Sequence, residues 1–333
     1  MLPKERYQET GRYLLEQKRV RLLLHKHPDG DSMGSSLALC RFLQSRGVDA
    51  AVLGPFDEAY PAKFDYLSGF GEIQHGGEEA RNPDFEETLY VVVDSTGLDR
   101  TGFEDGDFRR LLRIDHHIDG SDYDERDLLD RSAAATALII TDLLRALDED
   151  AIDTEIANCL FTGLMTDTGG FRYSSTDAHC FETAAFLVSR GANPSDCANL
   201  VNDRRNSHYL VLMEKALASV KLYFEDRVAL MILRSGDLPE EARPFFGQDE
   251  FINLPRSLES VRVVVQIKES PDGEWKVGFR GKGEVNVQAL AAHFGGGGHF
   301  SASGCEMRGE AEDIRDTLLA RLEESLREAG LIS

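Results

Sequence analysis

Apolar residues along this chain follow two rhythms. Residues 20–24, 50–53, 89–93 and 111–114 are short, nearly unbroken apolar runs, the pattern of strands in a parallel sheet covered on both faces. Helical spacing appears between and after them, over about 32–45, 133–147, 154–165 and 178–190, with Gly47 placed to end the first helix. Strands alternating with helices predict an open, mainly parallel α/β sheet flanked by helices. Such sheets bind ligands at the carboxyl ends of their strands.

After Gly191-Ala192-Asn193-Pro194 the rhythm changes. A helical connector over about 194–220 leads to a strand at 228–233. Runs 261–267 and 274–279 form a hairpin around Pro271-Asp272-Gly273, since a turn-forming cluster between two apolar runs favours antiparallel pairing. A short helix at 287–293, the run Gly295-Gly296-Gly297-Gly298-His299 and an amphipathic helix over 312–328 follow. The expected organisation is a metal-binding α/β domain at 1–192, a connector at 193–225, and a smaller α+β substrate-binding domain at 226–333, across a cleft from the first. A chain of 333 residues is long enough for two cores.

Composition narrows the classes. No run approaches the roughly 20 apolar residues of a membrane span, and MLPKERYQET lacks the apolar core of a signal peptide, so a cytoplasmic protein is expected. The five cysteines (Cys40, Cys159, Cys180, Cys197, Cys305) contain no CxxC pair and read as core thiols rather than a zinc or disulfide framework. Net charge is −22, from 59 acidic and 37 basic residues. A surface so poor in cations is unsuited to long nucleic acid, whereas a short anion held by a few placed cations fits.

Four segments carry the chemistry. His25-Lys26-His27-Pro28-Asp29-Gly30-Asp31, Asp94 after a valine run, Asp115-His116-His117, and Asp167 in a Met-Thr-Asp-Thr-Gly stretch all follow apolar elements. Carboxylates and imidazoles converging from separate places favour divalent cations between them. The first loop can feed two neighbouring cations, Asp94 can bridge them with its two oxygens, and His116 and Asp167 complete the second. Four carboxylates then balance two divalent ions. An ion pair about 3.5–4 Å apart activates water as a hydroxide and clamps a phosphoryl group during in-line displacement.

These motifs resemble the DHH phosphoesterase superfamily. The likeness runs through His25 to Ser35, Asp94, Asp115-His116-His117, Asp167 to Thr176, and the glycine run ending at His299, which resembles the mark of the DHH-associated domain. The two-domain arrangement is similar to the bacterial nanoRNase and pAp phosphatase group. The resemblance implies His25, Asp29 and Asp94 on one metal, and Asp31, Asp94, His116 and Asp167 on the other. It places His117 at the scissile phosphate and Asp115 behind an imidazole, so that Asp94, His117 and Asp115 form the catalytic set. It assigns Arg280 and His299 to the substrate's terminal phosphate, and Arg256 lies in a stretch matching the family near the cleft. Gly296, Gly297 and Gly298 would offer backbone N–H groups to an anion as a nest.

The implied activity is hydrolysis of short oligoribonucleotides and of 3′-phosphoadenosine 5′-phosphate with two divalent cations, Mn²⁺ foremost. A cyclic di-AMP or linear dinucleotide phosphodiesterase on the same scaffold is the alternative, because only the outer cleft would differ. A non-catalytic nucleotide sensor would require a missing ligand residue, and none is missing. Expected partners are a short RNA or mononucleotide, with no long nucleic acid and no membrane, and a homodimer is a permitted assembly. His27, His75, His179, His208 and His293 read as solvated or structural, and Arg172 as a cleft-edge or surface cation.

Overall fold

The computed structural model describes residues 2–55, 60–75, 87–103, 108–246, 251–270, 273–283 and 285–332. It divides into two compact units, residues 1–204 and 205–333. The division falls inside the segment read as a connector, which holds one helix in each unit and, in the second unit, a short strand at Lys221–Tyr223.

The first unit runs α1 (Lys4–Leu15), β1 (Arg19–Leu23), α2 (Gly30–Ser45), β2 (Asp49–Gly54), β3 (Gln74–His75), β4 (Leu89–Val93), β5 (Leu111–Asp115), β6 (Leu128–Leu129), α3 (Thr136–Asp148), α4 (Thr154–Asp167), α5 (Ala178–Ser189) and α6 (Pro194–Asn202). Sheet order is β3-β2-β1-β4-β5-β6, and every pairing among the described residues is parallel. Chain order reverses between β1 and β4, the switch point where an open α/β sheet leaves a crevice.

Side chains alternate across each strand. Leu22, Val52, Val91 and Ile114 enter the main core with α2, α3 and α4, while Leu23, Leu53, Tyr90 and Val92 form a smaller cluster on the other face. Helix α1 was not expected from the sequence. Its buried Tyr7, Thr10, Gly11 and Leu14 recur at helical spacing, but the polar residues between them obscure it.

Two glycine positions bring α2 and α4 unusually close. A Cβ on Gly34 would lie 2.2 Å from the Cys159 carbonyl oxygen, and one on Gly163 would lie 2.8 Å from Asp31 Oδ1. No side chain fits at either place, and this proximity sets Asp31 beside the end of α4.

The second unit contains α7 (His208–Ala218), β7 (Lys221–Tyr223), β8 (Val228–Leu233), α8 (Asn253–Arg256), β9 (Val263–Glu269), β10 (Trp275–Gly281), α9 (Val287–His293), β11 (Gly297–His299), β12 (Ala302–Met307) and α10 (Ala311–Glu328). Its sheet, ordered β11-β12-β10-β9-β8-β7, is antiparallel except for β8 beside β9. The expected hairpin is β9–β10; Pro271 and Asp272 of its turn lie outside the described residues. Ala311, Ile314, Leu318, Leu322 and Leu326 of α10 are buried, a single stripe that seats the helix on the core. All five cysteines are buried and unbridged. Among the described residues no helix is long and apolar enough to cross a membrane.

Candidate metal centre

Each residue at the centre owes its place to an element end. His25 follows β1, Asp94 follows β4 in a left-handed conformation (φ 55°), Asp115 ends β5 and Asp167 ends α4. Asp29 is the N-cap of α2, where one of its oxygens accepts from the N–H groups of Asp31 and Ser32 at 3.0 Å each. That bond fixes the carboxylate and starts the helix at Gly30, two residues before the sequence pattern indicates.

Asp31 is fully buried. Its Oδ2 accepts from Thr136 N–H at 2.6 Å and its Oδ1 from Ala137 N–H at 2.9 Å. It therefore caps α3, whose own N-cap residue, Ala135, provides no side-chain bond. Asp94, 3% exposed, accepts from Thr136 Oγ1 at 2.9 Å.

The imidazoles are oriented by oxygen acceptors. His25 Nδ1 donates to the Lys26 carbonyl at 2.8 Å and His116 Nδ1 to the Ala133 carbonyl at 3.2 Å. In the neutral ring this puts each lone pair on Nε2, a usual arrangement behind a metal-ligating histidine. His25 Nε2 stands 3.8 Å from Asp94 Oδ2, and His116 Nε2 stands 3.5 Å from Asp94 Oδ1 and 3.4 Å from Asp167 Oδ2. Two atoms each about 2.1 Å from a shared cation lie about 3–4 Å apart, so these gaps have the size an ion would span.

The geometry gathers His25, Asp29 and Asp94 into one potential ligand group and Asp31, His116 and Asp167 into a second; a third joins Asp94, Asp115, His116 and His117. All six residues expected to hold metal are thus brought together, with Asp94 between the two sets. The donors are oxygen and imidazole nitrogen without thiolate, which suits hard divalent cations of the Mg²⁺ and Mn²⁺ kind. Burial first, and neighbouring carboxylates second, push Asp94 and Asp167 well above the ordinary carboxylate range; burial also raises Asp31. Cations between them would relieve both effects.

Asp115 behaves oppositely. Burial alone would raise it, but the His117 bond and charge and the Arg113 guanidinium outweigh burial and hold it well below the usual range. Its Oδ1 accepts from His117 Nδ1 at 2.6 Å and from His116 N–H at 2.9 Å.

Sequence reasoning passed over three contributors. Thr136 holds Asp31 and Asp94. Arg113 pairs with Asp115, and a cation inside Leu111-Leu112-Arg113-Ile114-Asp115 was the available signal. Asp127 accepts from the N–H groups of Arg113 and Tyr123 at 2.7 Å each. Arg172 is exposed, with Nε donating to the Gly169 carbonyl at 3.0 Å.

In the second unit the glycine run is built into a sheet edge. Residues 297–299 form β11, an edge strand on β12. A Cβ on Gly296 would lie 2.1 Å from the Gly304 carbonyl oxygen, and one on Gly298 would lie 2.7 Å from Ser303 Cα. Close strand packing therefore requires two of these glycines, whereas Gly297 has open space. Register places positions 280, 302 and 299 in one row across β10, β12 and β11; the His299 side chain lies outside the described residues. Arg256 Nε donates to the Gly281 carbonyl at 3.3 Å, beside Arg280.

The DHH family N-terminal domain matches residues 19–164, and the DHHA1 domain matches residues 249–328. A relative, the bifunctional oligoribonuclease and PAP phosphatase NrnA of Thermus thermophilus, is 30% identical over 99% of this chain and 98% of its own. The chain belongs to the DHH family. Another relative, the cyclic-di-AMP phosphodiesterase GdpP of Bacillus subtilis, is 24% identical over 88% of this chain but 46% of its own length. The crystal structure of an exopolyphosphatase-related protein from Bacteroides fragilis superposes with a TM-score of 0.84 and 26% identity, covering 98% of this chain and 96% of that one.

Proposed function

We propose that this chain is a metal-dependent phosphoesterase that hydrolyses short oligoribonucleotides and 3′-phosphoadenosine 5′-phosphate. The observation carrying this reading is Asp94, a buried carboxylate facing His25 on one side and His116 on the other. Its setting is a chain alike over its full length to a protein named for those two activities.

His25, Asp29 and Asp94 would hold one divalent cation, and Asp31, Asp94, His116 and Asp167 the other, with Mn²⁺ the expected ion. Bound there, such a pair supplies Lewis acidity to a phosphoryl group and lowers the pKa of water toward neutrality. The protein contributes orientation and proton handling. Asp115 holds the His117 ring through Nδ1, so that Nε2 of the doubly protonated ring, or water, would give the proton to the leaving oxygen. Thr136 fixes Asp31 and Asp94. Arg280, Arg256, His299 and the glycine run are assigned to substrate binding, in keeping with the charge-assisted bonds arginine makes to phosphate.

The −22 net charge supports short substrates over long nucleic acid, because affinity cannot accumulate through many phosphate contacts. Buried, unbridged thiols favour the reducing cytoplasm. The likeness to GdpP keeps cyclic di-AMP as the second reading. Purified protein with Mn²⁺, assayed in parallel on pAp, an RNA ladder of about 2 to 24 nucleotides and cyclic di-AMP, decides between them. Preference for pAp and 2- to 5-mers supports the proposal; preference for cyclic di-AMP or equal kcat/KM across the ladder overturns it.

A further inference from the structure

We infer that Arg113 is a positioning residue for this chemistry, a buried clamp that fixes the loop carrying Asp94 against the loop carrying His116 and His117, resting on the phosphoesterase reading above. Arg113 stands within β5 beside Val92 of β4, and period-2 alternation turns it to the same face as Asp115. Its side chain is 2% exposed, and that of Asp115 is fully buried.

The guanidinium holds one carbonyl or more from each loop. Nε donates to the Ser95 carbonyl at 2.8 Å, next to Asp94 in sequence. Nη2 donates to the Asp119 carbonyl at 2.7 Å and Nη1 to the Ser121 carbonyl at 3.1 Å, both just after His117. Nε and Nη2 also donate to Asp115 Oδ2. With Oδ2 taken by Arg113, Oδ1 is turned toward His117 Nδ1 and His116 N–H, so each carboxylate oxygen has a fixed duty.

The loop is shaped around this cation. Gly120 has φ 125°, and a Cβ there would lie 2.4 Å from Arg113 Nη1 and 2.2 Å from the Thr96 carbonyl oxygen. A buried ion pair is a poor way to stabilise a sheet, since well-packed apolar side chains often do as well or better. Orientation accounts for its presence. Lysine could not replace it, because a point charge lacks the planar fork that reaches several acceptors at once.

The test uses the full chain as wild type, Arg113→Lys, Arg113→Met, Asp115→Asn and the double variant Arg113→Met/Asp115→Asn. Hydrolysis of bis-p-nitrophenyl phosphate at saturating Mn²⁺ is measured with the thermal midpoint. In the Mg²⁺-loaded protein, the low-field proton resonance of His117 Nδ1–H is followed, identified by its change in Asp115→Asn. Arg113→Lys is expected to lower kcat about 10²-fold, the low end for a misplaced proton-transfer group, with KM within about threefold and the resonance shifted or broadened. The double variant should recover the midpoint lost in either single variant, because no unpaired buried charge remains, while its kcat stays at the Asp115→Asn value. Wild-type kcat in Arg113→Lys, recovery of kcat with the midpoint in the double variant, or losses that multiply would each overturn the clamp. A wild type lacking Mn²⁺-dependent hydrolysis would sink the phosphoesterase reading instead. The resonance still tests the clamp in that case, and an unchanged signal in Arg113→Lys would refute it.

Discussion

Thr136 Oγ1 donates to Asp94 Oδ1 at 2.9 Å while the Thr136 backbone N–H donates to Asp31 Oδ2 at 2.6 Å. One residue at the start of α3 thus orients two carboxylates from different elements, one just after β4 and one in the first turn of α2. Thr136→Val keeps the shape and the backbone bond but removes the hydroxyl. A hydrogen bond to a charged group contributes about 1.5–3 kcal/mol, so Mn²⁺ affinity by calorimetric titration should fall about tenfold or more. Thr136→Ser should bind within about threefold of wild type. Unchanged affinity in the valine variant would show that the hydroxyl has no part in shaping the site.

Asp94 belongs to both expected ligand sets, so Asp94→Asn should lose both cations together and lower hydrolysis more than tenfold even in excess Mn²⁺. The same change removes a carboxylate that burial and its neighbours hold well above the ordinary range. In chelator, the thermal midpoint of Asp94→Asn should therefore equal or exceed that of wild type. A variant that binds one Mn²⁺ per chain with unaltered affinity would refute the bridging role.

Stability without metal should depend on pH with a definite sign. Asp31, Asp94 and Asp167 are raised in the folded state, so at these three positions the folded protein binds more protons than the unfolded chain. Stability falls with pH wherever that holds. The loss should begin near the unfolded carboxylate value of about 3.9 and continue upward through the raised folded values. Thermal midpoints in chelator should reveal this decline once compared with Asp94→Asn, and saturating Mn²⁺ should flatten it. A wild-type decline no steeper than the variant's would count against the cluster as its source.

Gly163→Ala should disturb the centre from behind. The added methyl would lie 2.8 Å from Asp31 Oδ1 and 2.9 Å from Ala137 Cβ, and overpacking of this kind costs about 1–3 kcal/mol. Chemical denaturation should show that loss, and Mn²⁺ affinity should weaken as Asp31 shifts. Gly297→Ala, where space is open, serves as the tolerant comparison.

Arg280→Ala addresses substrate length. Losing a charge-assisted bond worth about 1.5–3 kcal/mol should raise KM for a trinucleotide about tenfold or more. Hydrolysis of bis-p-nitrophenyl phosphate, which has no second phosphate to grip, should be spared. An equal loss on both substrates would refute a terminal-phosphate role.

The six residues expected to hold metal were legible because five stand just beyond apolar strands, whose ends a parallel sheet gathers on one edge, and the sixth, Asp167, closes an apolar helix. Strands β3 and β6, two residues each, are too short to carry a period. Arg113 was legible only as an anomaly, since nothing in a linear sequence shows which carbonyls a buried guanidinium will reach. Thr136 gave no sign, because its partners are 42 and 105 residues away. The glycine run was ambiguous in principle: absent side chains serve an approaching anion and a crowding strand equally, and the close neighbours at Gly296 and Gly298 show the second use without deciding the first.

The left-handed backbone at Asp94 narrows which substitutions evolution can sample there. Asparagine and aspartate tolerate that conformation better than most residues, so asparagine keeps the backbone but forfeits the charge. Glutamate keeps the charge, but adds a methylene in a buried site and suits the backbone less well. Aspartate alone meets both demands, and lineages that drift at this position should lose the activity before they lose the fold.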